Sequence, residues 1–215
     1  EVETLFHEFG HSLHGLFSDC TYPSIAGTSV PRDFVELPSQ IMEHWASEPE
    51  VLRMYAKHYK TGEVIPQALI DRMAKARHFN QGFETVEYLA ASYLDMRWHT
   101  LTEPVEPDTA AFEKKALDGI GLIPEIVPRY RSTYFAHIVG GYAAGYYSYI
   151  WAAVLDNDAF EAFKEAKDIF HAPTAARFRK LLSSGYTEEP MALYERFRGA
   201  KPKIEPLLRH RGLIK

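Results

Sequence analysis

Residues 6–15 read FHEFGHSLHG, and the spacing inside this stretch decides how the rest of the chain is read. His7 and His11 are four residues apart, so on an α-helix they stand one turn above the other on one face. Val2, Leu5, Phe6, Phe9, Leu13 and Leu16 recur at helical steps around them, which predicts a helix over residues 1–18 with a broad apolar face. Two stacked imidazoles can share one tetrahedral cation, and zinc accepts neutral imidazole nitrogen readily. The competing reading is a chance His-Glu-x-x-His on a surface helix. The apolar flanks argue against it, because they predict a buried helix, and buried histidines need partners.

Glu8 follows the first histidine directly. In His-Glu-x-x-His metallopeptidases this glutamate is not a ligand; it takes the proton of a water activated by the zinc. Catalytic zinc typically takes three protein ligands, and His2Glu is one of the known sets. Glu36, in DFVELPSQ, is the candidate for the third. It opens a second predicted helix over 34–46, and two antiparallel helices joined by a loop of this length can bring it beside His7 and His11. Among the other carboxylates, Asp33 reads as loop or cap. Glu43 lies two turns along from Glu36 and suits support of a ligating histidine from behind the metal. His14, three residues past His11, reads as a packing or hydrogen-bonding neighbour.

The 215 residues are 46% hydrophobic and 25% charged, with a net charge of −5, which fits a folded chain with no basic run. Nucleic acid is therefore not an expected partner. No apolar stretch reaches the roughly 18 residues a membrane span needs, so no membrane is expected either. Cys20 is the only cysteine and can form no internal disulfide; a lone thiol suits a reducing compartment, so the cytoplasm is the expected location, with the periplasm as the alternative. The chain starts at Glu1 inside a helical pattern with no cap, which reads as a piece of a longer protein.

Elsewhere the pattern is almost wholly helical. Residues 19–33 read as an extended loop. Pro38 fits a first helical turn, and Ser47 with Glu50 forms a capping-box pattern. Helices are expected over 66–78 and 80–102. On the second of these, Phe83, Val86, Leu89, Ala90, Tyr93, Leu94 and Trp98 mark the apolar face. A Pro- and acid-rich turn over 102–109, a short helix at 109–117, helices at 173–184 and 188–198, and a Pro-broken tail complete the chain. The fold class expected is mainly α, a multi-helix zincin-type catalytic lobe with little β structure.

Three segments, FHEFGHSLHGLF, GTSVPRDFVELPSQIMEHWA and FAHIVGGYAAGYYSYIWAAVLDNDAF, resemble the thimet-oligopeptidase family of zinc peptidases over essentially the whole chain. LDMRWHTL and PKIEPLLRHRGL point to its peptidyl-dipeptidase branch. The resemblance implies that residues 1–215 form the C-terminal catalytic portion of a larger enzyme. It implies one zinc ion per chain on His7, His11 and Glu36, with Glu8 as general base, and substrate contacts from His137, Gly140, Gly141, Tyr142 and Tyr149 in the segment 137–155. It also implies short peptide substrates, and a channel that the missing N-terminal part of the polypeptide completes.

Tyr142, Tyr146 and Tyr149 are spaced to share one helix face, and three phenols in a row favour a wet cleft over a plain core. Amide hydrolysis passes through an oxyanion, which a phenol or imidazole donor stabilises. Tyr149 and His137 are the candidates for that role, and Tyr142, next to the glycine pair, suits substrate positioning by a mobile loop. Tyr146 joins the substrate-binding set, and Tyr147, off this face, reads as core. Arg129 and Arg131 are candidate donors for a substrate carboxylate and equally candidates for structural ion pairs. The function expected is zinc-dependent hydrolysis of short peptides with release of C-terminal dipeptides. The alternatives are internal cleavage by an oligopeptidase of the same family and, from another class, a non-catalytic helical metal-binding or interaction module.

Overall fold

Helices α1 (Val2–Leu16), α2 (Arg32–Val35), α3 (Leu37–Ser47), α4 (Pro49–Tyr55) and α5 (Gln67–Ala76) come first in the chain. They are followed by α6 (Gln81–His99), α7 (Thr109–Asp118), α8 (Ser148–Glu165), α9 (Ala172–Ser183), α10 (Pro190–Arg198) and α11 (Glu205–His210). The computed structural model describes residues 1–104 and 108–215. The turn expected over 102–109 includes residues 105–107, which lie outside them. Among the described residues there is no sheet, only one isolated antiparallel bridge between Lys57 and Val64. The mainly α class is therefore as the sequence reads. No helix among these residues is long and apolar enough to cross a membrane.

The chain divides into two compact units, residues 1–78 with 150–215, and residues 79–149. In the first, Leu37, Ile41 and Trp45 of α3 meet Phe160 and Phe163 of α8 and the apolar faces of α9 and α10 in one core. Trp45 stands edge-on to both phenylalanines, at centroid distances of 4.7 and 4.9 Å, and its indole N–H donates to the Ile169 carbonyl at 3.0 Å. The pairing is economical, since a buried indole needs one acceptor and gets it. A second tie joins α3 to α8: Asp156 accepts from Gln40 Nε2 at 3.0 Å and from His44 Nε2 at 2.6 Å. Burial pushes the Asp156 carboxyl above its ordinary range, and the His44 hydrogen bond pulls against that shift.

In the second unit, Ala91 and Leu94 of α6 pack with Phe135, Ile138 and Tyr146. Ala90 is also buried, but Phe83, Val86 and Tyr93 are exposed, so the expected apolar face of α6 is corrected. Ala90, Leu94 and Trp98 of the expected face do pack inward, and the buried strip extends from them to Ala91, Ser92 and Asp95, small or polar residues that an apolar pattern does not mark.

Three local expectations also change. The expected helix 34–46 is two helices with Glu36 at the joint; Pro38 does sit in the first turn of α3. Ser47 is not a cap but the last residue of α3. Glu48 takes the N-cap position of α4, in extended conformation, as the residue before Pro49 must. The tail carries a short helix, α11, with Pro206 in its first turn, where a missing N–H costs nothing.

Candidate metal centre

Gly10 sets how closely α1 approaches α3. A Cβ there would stand 2.2 Å from the Pro38 carbonyl oxygen and 2.6 Å from Ser39 Cα, so only glycine lets the two backbones touch. Gly10 meets Pro38 and Ser39 while His7 meets Glu43, so the helices run antiparallel, as the spacing predicts. Phe6 and Leu13 turn the adjoining strip of α1 toward the core, and Phe17, just past its end, packs there with them. The expectation of a buried helix is corrected in part: Phe6 and Leu13 pack inward, but Leu5 is 67% exposed, and Val2, Phe9 and Leu16 are exposed with it. The apolar ring of α1 is wider than the strip it packs against α3 and α9.

The contact with α3 brings three donor atoms together. Glu36 is buried at the joint of α2 and α3, and its Oε2 lies 3.3 Å from His7 Nε2 and 3.2 Å from His11 Nε2. Ligand atoms of all three residues lie within 4.8 Å of one another. Behind them, the Nδ1–H of His7 donates to Glu43 Oε1 at 2.6 Å, which leaves Nε2 as the nitrogen turned to Glu36. The Ser39 hydroxyl lies 2.8 Å from Glu36 Oε2 and 2.9 Å from the Glu36 carbonyl, and donates within that pair. Hydrogen bonds to Glu36 and then to Glu43 push His7 up to about 10, against the burial that lowers it.

The set fits a divalent zinc ion on chemical grounds. Two imidazole nitrogens and one carboxylate oxygen lie within 4.8 Å of one another, one ring is oriented by a carboxylate behind it, and the buried His11 Nδ1 has no hydrogen-bond partner among the described residues, so the polar demand of that ring falls on Nε2. Glu8 is exposed and lies three residues before His11, on a neighbouring strip of the helix. His14 is outside the cluster. It is 0% exposed, and neither ring nitrogen has a hydrogen-bond partner among the described residues, so its role is packing. Burial, and then the nearby His11, lower it to about 4. Asp33 lies in the first turn of α2.

The second unit gathers the other expected residues. His137 sits in a short 3-10 helix, Ala136–Val139, with its ring 5.2 Å from Tyr146, 5.9 Å from Tyr142 and 6.3 Å from Tyr149. Tyr142 and Tyr149 stack at 5.2 Å. They do not share a helix face, which corrects the expectation. Residues 140–147 are turns around Gly140 and Gly141, and α8 starts only at Ser148. Ala144 has a positive φ of 52°, which no continuous helix accepts.

Tyr146 is 3% exposed and belongs to the core of this unit, and burial pushes its phenol upward in pKa. Tyr147 is 42% exposed, so the expectation that it is core is corrected. Arg131 pairs with the buried Glu113, at 2.5 Å from Nε to Oε2, and is a structural ion pair. Arg129 lies over the Tyr130 ring, 5.6 Å from its centroid.

A model of Peptidase family M3 matches residues 1–213. The chain belongs to peptidase family M3. This M3 chain is 50% identical over 217 residues to the dipeptidyl carboxypeptidase of Escherichia coli (strain K12), an alignment covering 99% of the chain and 32% of the relative. It is 42% identical to oligopeptidase A of the same organism, covering 99% and 32%, and 34% identical to saccharolysin of Saccharomyces cerevisiae, covering 99% and 30%. It spans about a third of the length of the curated relatives it matches.

Three residues important to the M3 chain escape a reading of spacing alone. Gly10 carries a signal, a glycine inside a strong helical pattern, which often marks a close approach. Ser39 is three residues past Glu36 and looks like any first-turn serine. Asp95 sits inside α6, where aspartate is a poor helix former, and only the tertiary structure shows what it holds.

Proposed function

We propose that the polypeptide containing this chain hydrolyses peptide bonds in short peptides, using one zinc ion per chain held by His7, His11 and Glu36. One observation carries the reading: two imidazole Nε2 atoms and one oxygen of the buried Glu36 carboxylate converge on the helix that also presents Glu8. When bound, the ion supplies Lewis-acid polarisation of the scissile carbonyl and lowers the pKa of a nearby water. Glu8 takes the proton from that water and delivers it to the leaving amine. Glu43 fixes the ring and tautomer of His7, and Ser39 holds the Glu36 carboxylate.

His137 and Tyr149 are proposed as donors to the developing oxyanion, and Tyr142 with Gly140 and Gly141 as the substrate-positioning segment. Support comes from the cluster that His137, Tyr142 and Tyr149 form in the second unit. Tyr146, buried in that cluster, is assigned to its support and not to substrate contact.

Release of C-terminal dipeptides is the preferred specificity, because a relative sharing half of the aligned residues is named a dipeptidyl carboxypeptidase. Internal cleavage is the second reading, favoured by the relatives named oligopeptidase A. The N-terminal part of a longer polypeptide completes the substrate channel in this proposal, and the compartment is the cytoplasm. The threefold greater length of the relatives supports a longer polypeptide, as do the exposed apolar side chains Val2, Leu5, Phe9 and Leu16 on α1.

The test is cleavage of an N-blocked tetrapeptide by the full polypeptide, with product analysis before and after chelation. One zinc per chain, loss of cleavage on chelation and its return with zinc are expected. A dipeptide as the sole released product selects dipeptidyl release over internal cleavage. A protein that cleaves no peptide, with or without zinc bound, would be the non-catalytic metal-binding or interaction module instead.

A further inference from the structure

The LDMRWHTL segment, residues 94–101, has no part in the chemistry above, yet among the described residues of the second unit it contains the most completely buried carboxylate. Asp95 is 0% exposed in the middle of α6. Its two oxygens divide their work: Oδ1 accepts the N–H of Ala144 at 2.9 Å and Oδ2 accepts the N–H of Tyr146 at 2.9 Å. These are the amides that a continuous helix would have directed back to the carbonyls of residues 140 and 142. His99, one turn on, places Nδ1 2.8 Å from Oδ1 and 2.9 Å from the Asp95 carbonyl. The Tyr88 hydroxyl, from the same helix, donates to the Tyr146 carbonyl.

Such a carboxylate does two things for the segment 140–147. Charge-assisted hydrogen bonds are roughly twice as strong as neutral ones, and here both fall on backbone amides that alternate with tight-turn bonds such as Ala143 N–H to the Gly140 carbonyl and Gly145 N–H to the Tyr142 carbonyl. They also favour the positive φ of Ala144, a conformation an alanine avoids unless its surroundings impose it. The consequence is the arrangement in which Tyr142 stacks on Tyr149 beside His137, although Tyr142 is not on the helix that carries Tyr149.

We propose that Asp95 is a positioning residue for peptide hydrolysis: through the amides of Ala144 and Tyr146 it fixes the turn that holds Tyr142 against Tyr149, with His99 supporting it from the adjacent turn of α6. The proposal rests on the reading that Tyr142 and Tyr149 meet substrate. Asp95 itself touches neither substrate nor metal.

The experiment is a double-mutant cycle in the full polypeptide with zinc bound. Asn at 95 keeps the shape but sets an amide NH2 against one of the two backbone N–H donors. Asp95→Asn should lower kcat/KM by roughly tenfold to a hundredfold, the scale of a misplaced positioning group. It should leave one zinc per chain and speed hydrogen exchange at the amides of Ala144 and Tyr146. Tyr142→Ala alone should lower kcat/KM, and Asp95→Asn added to it should cost little more, because both act through one element.

If the buried substitution prevents folding, Ala144→Val carries the same test from an exposed position. A β-branched residue opposes the positive φ and should reproduce the defect, whereas Ala144→Gly should match the wild type. Multiplicative loss in the double mutant, or an Ala144→Val enzyme with wild-type kinetics, overturns the proposal while leaving the substrate reading intact. Wild-type kinetics in Tyr142→Ala removes that reading and the proposal with it.

Discussion

His7 and Glu43, thirty-six residues apart in the chain, meet at 2.6 Å from Nδ1 to Oε1. The contact crosses from α1 to α3 and decides which nitrogen of His7 faces Glu36. Glu43→Ala removes the acceptor and frees the ring to rotate and change tautomer. Groups of this kind are typically worth about 10- to 100-fold in metal affinity. Competition with a chelator should show zinc binding weakened by that factor, with Glu43→Gln intermediate, because an amide oxygen still accepts the N–H. Wild-type affinity in Glu43→Ala would mean the contact does not orient the ring.

Glu8 gives a different signature. The proposed base is not a ligand, so Glu8→Gln should keep one zinc per chain. Turnover should fall by at least about 10²-fold, the usual scale for losing a general base. Metal content and kcat measured on the same preparation separate this outcome from loss of the ion. Full activity in Glu8→Gln would remove it from the mechanism.

Gly10 is the mechanical element of the centre. Alanine there puts a methyl group 2.2 Å from the Pro38 carbonyl oxygen, so α1 and α3 must part. Overpacking of this kind costs about 1–3 kcal/mol. The separation also draws His7 and His11 away from Glu36. Thermal unfolding of the metal-free protein should show the lower stability, and zinc titration the weaker binding. Loss of stability with unchanged zinc affinity would show that the approach at Gly10 does not set the donor distances.

Two histidines predict how stability changes with pH. Burial holds His14 at about 4 and His210 at about 3, below the ordinary value of 6.5. Both are neutral in the fold, and the unfolded chain binds the extra protons below pH 6.5. Stability from this source is therefore whole above pH 6.5 and is lost as pH falls toward 4 for His14 and toward 3 for His210. Each pH unit in the window costs about 1.4 kcal/mol per histidine, and less for His210, whose ring is part-exposed and screened. His7, raised to about 10, contributes the opposite trend in the metal-free protein, so the test is the comparison: the change in urea midpoint between pH 7.5 and 5 should be shifted toward greater stability at pH 5 in His14→Leu relative to the wild type. An unchanged slope in His14→Leu would contradict the burial of a neutral ring.

The metal-binding residues are legible in the sequence because their geometry is largely local. The His7 to His11 spacing is set by the helical repeat, and the following glutamate by adjacency. Glu36 is legible as a candidate because few carboxylates in the right chemical setting lie close by in the chain. The tyrosine segment is misread for the opposite reason. Spacing predicts one continuous helix through Tyr142, Tyr146 and Tyr149, and nothing in those residues announces that Asp95, from α6, takes two of the backbone amides the helix would need. Long-range capture of a backbone N–H leaves no periodic trace.

By itself, then, the sequence determined the helical class, the pair of histidines with their glutamate, and the candidate third ligand. These follow from repeat and composition, which act over a few residues. Only the tertiary structure decided that Gly10 lets two helices touch, that Glu43 and Ser39 hold the ligands from behind, and that the Gly-Tyr segment is a turn and not a helix. Each depends on a distance between parts of the chain far apart in order, and hydrogen bonding and close packing fix such distances only once the chain has folded.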